Sequence, residues 1–267
     1  MSRDVLTRPA AAPDRTATYG SDPDHVVDLW APGTSGAPLV VVIHGGFWRS
    51  AYDRFHTRPM ANALVEAGYA VAVPEYRRVG SPGGGGWPGT FDDIATVLDV
   101  VGELAAPLGA DPRRTVWIGH SAGGHLALWA AARHRLPTES PWHAGPASAG
   151  VVSLAGCNSL WLSAEWGEGD GAVANLLGGT PDEFPERYAA ADPAALLPLG
   201  VPATLVHGTE DDVVRVEMSR QYAKAASDAG DVLSYIELPG ADHFDVIDPL
   251  SAAWPRVIEA IAAAMPK

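Results

Sequence analysis

Runs of apolar residues recur along the chain and alternate with stretches in which apolar residues follow a helical spacing. The clearest run is residues 39–43, Leu-Val-Val-Val-Ile, which is bounded by Pro38 and by the pair Gly45-Gly46. A continuous β-branched run of this length indicates a strand buried on both faces, as in parallel sheets. Similar runs predict further strands at residues 25–30, 69–74, 115–118, 150–154, 203–206 and 233–238.

Helical periodicity separates these strands and is clearest in residues 90–106. The same criterion predicts helices at residues 59–67, 122–134, 217–229 and 250–265. Strands that alternate with helices at this rhythm indicate an α/β fold, with a mostly parallel central sheet and helices on both faces. In such sheets the functional groups gather at the carboxyl ends of the strands.

Length and local composition suggest the domain organisation. Residues 1–18 are rich in Ala, Pro and charge, and we predict a flexible lead-in there. Residues 19–267 suit a single domain with a small cap or none. Within this domain, residues 156–200 are rich in Trp, Gly and Pro, and we predict an irregular segment that covers the active-site side of the sheet.

Composition and charge narrow the range of partners. The formal net charge is −14 and the isoelectric point is near 4.9, so the surface repels phosphate backbones and anionic lipids. We therefore predict no nucleic-acid and no membrane partner. The single cysteine, Cys157, excludes an intrachain disulfide and suits a reducing compartment. The first residues carry charges rather than an apolar run, so we expect a cytoplasmic protein without a signal peptide. The oligomeric state stays open, with a homodimer as one option.

The strongest chemical motif is Gly-His-Ser-Ala-Gly at residues 119–123, directly after a predicted strand and directly before a predicted helix. A serine in this context has the form of a nucleophile elbow, in which glycines tolerate the crowding and the hydroxyl stands above the sheet. The first N–H of the following helix, that of Ala122, then points toward a developing oxyanion. Ser121 is the predicted nucleophile.

A second motif, His-Gly-Gly-Phe-Trp at residues 44–48, follows the strand at residues 39–43. Two glycines let the backbone approach a substrate carbonyl and present N–H donors to it. We predict an oxyanion hole formed by the N–H groups of Gly46, Phe47 and Ala122. The loss of one such donor costs other hydrolases roughly a hundred- to a thousandfold in rate.

Two later loops supply an acid and a base. Residues 207–214 follow a predicted strand and contain three neighbouring acids. We assign Asp211 as the acid that orients the histidine, with Asp212 as the alternative and Glu210 as a solvated residue. His243, in the loop after the last predicted strand, is the predicted general base. The order Ser, Asp, His along the chain is the one that the α/β-hydrolase fold uses.

The remaining histidines and aromatics have supporting roles in this prediction. His44, His120 and His207 lie beside glycines at strand ends, where we expect them to support loops by hydrogen bonds, and His125 is expected to pack beneath the site. Neither metal-ligand spacing nor a phosphate- or dinucleotide-binding glycine motif occurs, so we predict no metal and no cofactor. The candidates for an aromatic substrate pocket are Trp48, Tyr52, Trp87, Trp161 and Trp166.

The paired motifs at residues 44–48 and 119–126 resemble the esterase/lipase side of the α/β-hydrolase superfamily. Within it, the chain is similar to kynurenine formamidases and related bacterial carboxylesterases. The similarity lies in the aromatic pair after the glycines, the run Gly-His-Ser-Ala-Gly-Gly-His-Leu and the triplet at residues 242–244. The resemblance spans about residues 18–265 and implies the α/β-hydrolase fold. It departs from the familiar lipase pattern at Phe47, which stands in place of a third glycine and favours a small acyl group such as formyl or acetyl.

The predicted function is that of a serine hydrolase. It would cleave a small-molecule substrate, a small-acyl ester or an aryl formamide, through an acyl-enzyme formed by Ser121, His243 and Asp211. A general short-chain carboxylesterase or lactonase is the alternative, because it needs the same triad. A third interpretation is a non-catalytic ligand-binding protein of the same fold. The intact triad weighs against it.

Overall fold

The computed structural model describes residues 3–145, 147 and 149–266. Within this part of the chain, one sheet contains eight strands: β1 (Arg15–Thr18), β2 (Val26–Trp30), β3 (Ala37–Ile43), β4 (Ala70–Pro74), β5 (Ala110–His120), β6 (Gly150–Leu154), β7 (Ala203–Gly208) and β8 (Leu233–Leu238). Their order is β1-β2-β4-β3-β5-β6-β7-β8. The pairs β1–β2 and β2–β4 are antiparallel and all other adjacent pairs are parallel. The predicted mostly parallel sheet is confirmed.

Helices pack on both faces of this sheet. In the described residues they are α1 (Arg58–Glu66), α2 (Gly89–Ala105), α3 (Ala122–Ala131), α4 (Leu160–Trp166), α5 (Ala172–Leu177), α6 (Pro185–Ala191), α7 (Val216–Asp228) and α8 (Trp254–Ala264). Helices α1 and α8 contribute Leu64 and Ile261 to one apolar cluster, whereas α2 and α3 contribute Ile94 and Leu126 to another. The predicted two-faced arrangement is therefore confirmed.

The strand β3 shows why a continuous apolar run indicated a central strand. Leu39, Val41 and Ile43 belong to one apolar cluster, and Val40 and Val42 belong to the other. Successive side chains of a strand point to opposite faces, so both faces of β3 are buried. Its carboxyl end leads directly into the His-Gly-Gly-Phe-Trp motif.

The N-terminal segment differs from the flexible lead-in that we predicted. Residues 4–6 form a short 3-10 helix that buries Val5, which is 1% exposed, in the cluster shared by α1 and α8. Arg8 donates two hydrogen bonds to the carboxylate of Asp248, and β1 pairs with β2. The segment is held by one apolar contact and one ion pair to the far end of the chain, neither of which local composition reveals. Met1 and Ser2 lie outside the described residues.

The segment at residues 156–200 also differs from our expectation, because it is not irregular. It contains α4, α5 and α6, whose buried faces include Leu160, Leu176 and Tyr188. The turn between α4 and α5 approaches the loop after β3. A Cβ on Gly169 would lie 2.5 Å from the ring of Phe47.

A search of the described helices finds none with both the length and the apolar character needed to cross a bilayer.

Candidate active site

Ser121 lies in the sharp turn between β5 and α3. Its φ is +54°, a left-handed conformation that a non-glycine residue adopts only at a cost of about 1–3 kcal/mol, and such strain clusters at active sites. The glycines two residues before and two residues after Ser121 leave no room for a side chain. A Cβ on Gly119 would lie 2.0 Å from the carbonyl oxygen of Gly123, and a Cβ on Gly123 would lie 2.0 Å from that of Ile43. The elbow geometry expected of this motif is present.

The loop after β3 runs beside this turn. A Cβ on Gly45 would lie 3.0 Å from the Cβ of Ser121, so the two backbones are in close approach. Gly46, Phe47 and Trp48 all have positive φ, of +114°, +50° and +55°. Within the part of the chain that the structure describes, the N–H groups of Gly46, Phe47 and Ala122 have no backbone acceptor.

A buried contact between His44 and Glu75 supports this loop. His44 donates from Nε2 to Glu75 Oε1 at 2.7 Å and from Nδ1 to the carbonyl oxygen of Gly45 at 2.8 Å. Burial raises the pKa of Glu75, but the charge and hydrogen bond of His44 and the charge of Arg78 outweigh it and lower the pKa to about 2. The Tyr76 ring stacks on His44 with the centroids 4.4 Å apart. The expectation that His44 supports the loop is confirmed.

The structure brings together Asp211 and His243. The Nδ1 of His243 donates to Oδ2 of Asp211 at 2.7 Å, and both side chains are buried. The Oδ1 of Asp211 accepts hydrogen bonds from the N–H groups of Val213 and Val214 at 2.9 and 2.8 Å. Asp212 is exposed and is not part of this arrangement. The geometry therefore favours Asp211 over its neighbour.

A second histidine contacts the same carboxylate. The Nε2 of His207 lies 3.1 Å from Oδ2 of Asp211 and 2.9 Å from the carbonyl oxygen of Val214. Burial raises the pKa of the Asp211 carboxyl, but the hydrogen bonds from His207 and His243 outweigh burial and hold that pKa well below its usual range. Asp211 is consequently a carboxylate throughout the physiological pH range.

A chain of buried hydrogen bonds fixes His207 in turn. The Ser219 hydroxyl lies 2.7 Å from Nδ1 of His207 and accepts from Nδ2 of Asn158 at 3.0 Å. The Ser153 hydroxyl donates to Oδ1 of Asn158 at 2.7 Å. This network connects β6, α7 and the segment after β6 to the carboxylate of Asp211. Fully connected buried networks of this kind make an arrangement rigid.

His120 holds the loop that carries His243. Its Nε2 donates to the carbonyl oxygen of His243 at 2.9 Å. Burial, followed by the neighbouring His243, lowers the pKa of His120 well below its usual value, so the ring is neutral. The expected loop-supporting roles of His120 and His207 are confirmed. His125 is also buried, and its Nε2 donates to the carbonyl oxygen of Ala191.

Ser121 and His243 line one cavity of about 160 Å³. Gly46 and Phe47 from the loop after β3 also line it, while Ala122 is fully buried directly after Ser121. The remaining lining residues are Arg3, Leu6, Tyr52, His56, His120, Val213 and Phe244.

Of the five aromatic residues predicted for a substrate pocket, only Tyr52 is among those that line this cavity. Trp48 is fully buried with its ring against His125. Trp87 packs on other core aromatics, with ring centroids 4.7 Å from Trp142. Trp161 packs on Tyr188, and Trp166 lies under the guanidinium of Arg215. The position of an aromatic residue near a motif in the sequence therefore does not tell whether its ring packs in the core or lines the cavity.

Three of these lining residues lie outside the sequence motifs and were missed. Arg3 and Leu6 belong to the segment that we expected to be a flexible lead-in, and His56 lies eight residues after the His-Gly-Gly-Phe-Trp motif. The guanidinium of Arg3 lies 5.5 Å from the ring centroid of Phe244. A periodic pattern could not have identified any of the three, because each reaches the cavity through tertiary packing.

The described residues contain no group of three or more His, Cys, Asp or Glu side chains arranged to hold a metal ion.

Comparisons with known proteins show which family and which fold this chain is similar to. A family model described as BD-FAE matches residues 27–225. Esterase LipC of Mycobacterium tuberculosis is 27% identical over 247 residues, which cover 88% of this chain and 60% of that protein. A probable isoprenylcysteine alpha-carbonyl methylesterase of Oryza sativa subsp. japonica is 26% identical, covering 92% of this chain and 62% of its own length. The chain thus spans less than two thirds of either relative.

Among solved structures, a truncated form of a carbohydrate esterase from gut microbiota superposes with a TM-score of 0.77. The identity is 19%, and the match covers 94% of this chain and 100% of that one. At this identity the likeness shows the fold alone, and it confirms the predicted α/β-hydrolase architecture. The esterase/lipase side of the predicted resemblance is confirmed, whereas a resemblance to kynurenine formamidases finds no support in these comparisons.

Proposed function

This chain belongs to the BD-FAE family, and we propose that it is a serine carboxylesterase that cleaves small-acyl esters through an acyl-enzyme. The observation that carries the proposal is that His243, which lines the same cavity as the strained Ser121, donates a 2.7 Å hydrogen bond to Asp211 behind it. A nucleophile, a base and an orienting acid in this relation form the machinery of acyl transfer.

In the proposed reaction, the Oγ of Ser121 attacks the carbonyl carbon of the ester while its proton passes to Nε2 of His243. That nitrogen is the free one, because Nδ1 already donates to Asp211. The tetrahedral intermediate collapses with departure of the alcohol, which takes the proton from His243. Water then attacks the acyl-enzyme by the same route and releases the acid.

The negative charge of each tetrahedral intermediate would be bound by the N–H groups of Gly46, Phe47 and Ala122. This assignment is supported by the lack of backbone acceptors for all three N–H groups in the described structure. Gly46 and Phe47 lie on a positive-φ loop beside Ser121, and Ala122 is the first residue of α3. Donors that are already oriented need no reorganisation during the reaction, which is why such sites are effective.

The cavity volume supports a small acyl group. Its volume of about 160 Å³ is close to that of the roughly 150 Å³ engineered cavity that holds one benzene molecule. The ring of Phe47, pressed against Gly169, restricts it further. Formyl, acetyl and similarly short acyl groups fit this space.

An aryl formamide is a second candidate substrate, because the small cavity that suits acetyl suits formyl equally well. Cleavage would use the same nucleophile and base. The esterase names of the relatives favour the ester, so we rank the formamide below it.

The first test is labelling with a fluorophosphonate probe, which modifies activated serines. We expect stoichiometric labelling of the wild type and none of Ser121→Ala. By analogy with serine proteases, the variant loses roughly a millionfold in kcat on p-nitrophenyl acetate. Absence of labelling in the folded wild type would instead favour a ligand-binding protein of the same fold.

The second test separates the two substrates. We expect turnover of p-nitrophenyl acetate to exceed that of N-formylkynurenine when both are measured as kcat/KM. The reverse order would make the formamide the better assignment without changing the roles of Ser121 and His243.

A further inference from the structure

The cavity that contains Ser121 adjoins a larger groove. The groove has a volume of about 560 Å³ and runs between residues 6–10 of the N-terminal segment and residues 51–58. Leu6, Tyr52 and His56 line both spaces. The cavity and the groove therefore meet at these three side chains.

We propose that this groove is the subsite for the alcohol part of the ester, and that it takes a neutral alcohol built on rings. The inference rests on the proposed esterase function and extends it to the substrate class. It also makes the N-terminal segment a wall of the substrate site.

The cavity and the groove differ in volume and therefore suit parts of an ester that differ in size. The cavity of about 160 Å³ holds a short acyl group, whereas the groove of about 560 Å³ lies within the roughly 300–1,000 Å³ range of pockets that bind drug-sized ligands. Methanol or ethanol would leave most of the groove filled with water. An alcohol of two or more rings would displace that water and contact the walls.

Exposed aromatic side chains form one wall. Tyr52 and Phe55 are 46% and 47% exposed, although both are large and apolar. The guanidinium groups of Arg54 and Arg58 lie 4.6 and 4.3 Å from the ring centroid of Phe55 and hold that ring in place. A fixed aromatic face beside a nucleophile favours a flat partner, because rings stack with little loss of conformational entropy.

Both arginines that line the groove are already paired, whereas the Asp53 carboxylate on its wall accepts a hydrogen bond from the N–H of Phe55 and repels an anion. Arg8 binds Asp248, and Arg58 binds Asp28 at 3.2 Å. Burial, followed by the neighbouring His44, lowers the pKa of His56 to about 4, so this side chain is neutral at pH 7. No free cation among these residues is left to bind an anion, and a neutral alcohol is the matching ligand.

The N-terminal wall is firmly attached. Val5 lies in the apolar cluster, Arg8 binds Asp248, and the N–H of Ala11 donates to Oδ1 of Asn62 at 2.7 Å. Because three separate contacts hold this wall, it keeps its shape when the substrate changes. It can therefore select among alcohols.

The test compares esters that share the acetyl group and differ in the alcohol. The substrates are ethyl acetate, 2-naphthyl acetate as the aryl arm and a monoacetylated cellobiose as the sugar arm. Phe55→Ala removes the aromatic wall and Ala51→Trp fills the groove, and neither residue lines the catalytic cavity. Val232→Ala, an exposed apolar residue outside the groove, is the matched control.

For each variant the kcat/KM on a bulky ester is divided by that on ethyl acetate and compared with the wild-type ratio, so the intrinsic reactivity of each ester cancels. We expect the ratio to fall at least about tenfold in both groove variants and to stay constant in Val232→Ala. A lower ratio with only the aryl ester or only the sugar ester supports the subsite and identifies which kind of ring it binds. An unchanged ratio in both arms and both variants overturns it. Failure of the wild type to hydrolyse any of the esters would instead reject the esterase function itself.

Discussion

Asp211 and Asp212 are adjacent in sequence and opposite in environment. Asp211 is buried and contacts two histidines, whereas Asp212 is exposed. We expect Asp211→Asn to lower kcat on p-nitrophenyl acetate by about ten-thousandfold, because the amide favours the wrong tautomer of His243. Asp212→Asn is the matched control and should change kcat by less than about twofold. A severe loss in Asp212→Asn with a mild one in Asp211→Asn would reverse the assignment.

Glu75 gives the protein a pH-dependent stability. Its pKa is lowered to about 2 in the folded state, so the stabilisation is complete above its usual pKa of 4.5 and is lost as the pH falls toward 2. A shift of this size corresponds to about 3 kcal/mol at pH 7. We expect Glu75→Gln to lower the free energy of unfolding by that order at pH 7, and the difference from wild type to shrink below pH 4.5.

Urea denaturation between pH 7 and pH 3 measures this difference. Glu259→Gln serves as the control, since Glu259 is exposed and its one ion-pair partner in the described part of the chain is Arg256 on the same helix. A constant gap between wild type and Glu75→Gln across this range would contradict the proposed linkage.

The positions of Ser121, Asp211 and His243 in the fold were predictable from sequence because their signals are local. Ser121 lies in a glycine-framed motif between a strand and a helix, and Asp211 and His243 follow the ends of predicted strands. By contrast, Arg3 and Leu6 reach the cavity only through tertiary contacts. Trp48 was placed in the pocket because it follows the oxyanion glycines, but its ring points into the core.

At the scale of elements, the close packing of α3 on the end of β3 depends on Gly123. A Cβ there would lie 2.0 Å from the backbone oxygen of Ile43, and backbone cannot move aside cheaply. We expect Gly123→Ala to lower the free energy of unfolding by about 3 kcal/mol and to reduce fluorophosphonate labelling of Ser121. Gly145→Ala, where a Cβ would meet nothing within 4 Å, should leave both unchanged. Equal stability of the two variants would show that the elbow can relax.

Long helices and strongly apolar strands were predictable, whereas β1 and the short helices were not. The β3 run and the helical spacing of α2 extend far enough to show their period. β1 has four residues with a single buried one, and α4, α5 and α6 have six or seven residues each. Fewer than two helical turns cannot display a helical repeat, so these elements were taken for coil.

At the scale of the whole molecule, Cys157 can report on global unfolding. It is the only cysteine of the chain, is fully buried, and has a thiol pKa raised well above its usual value by burial. We expect no reaction with Ellman's reagent under native conditions and one equivalent in denaturant, because only the exposed thiolate reacts. Fast labelling of the native protein would reveal local opening beside Ser121, whose carbonyl oxygen accepts from the N–H of Cys157.

The crowding around the Asp211 carboxylate has a consequence for isotope effects. Its oxygens accept hydrogen bonds from Val213, Val214 and His243, and Nε2 of His207 lies 3.1 Å from Oδ2. Because these contacts hold the pKa of the Asp211 carboxyl well below its usual range, His243 keeps its Nδ1 proton and the proton from Ser121 stops on the imidazole. In mixtures of light and heavy water, kcat should therefore decline linearly with deuterium content, as it does when a single proton is in flight.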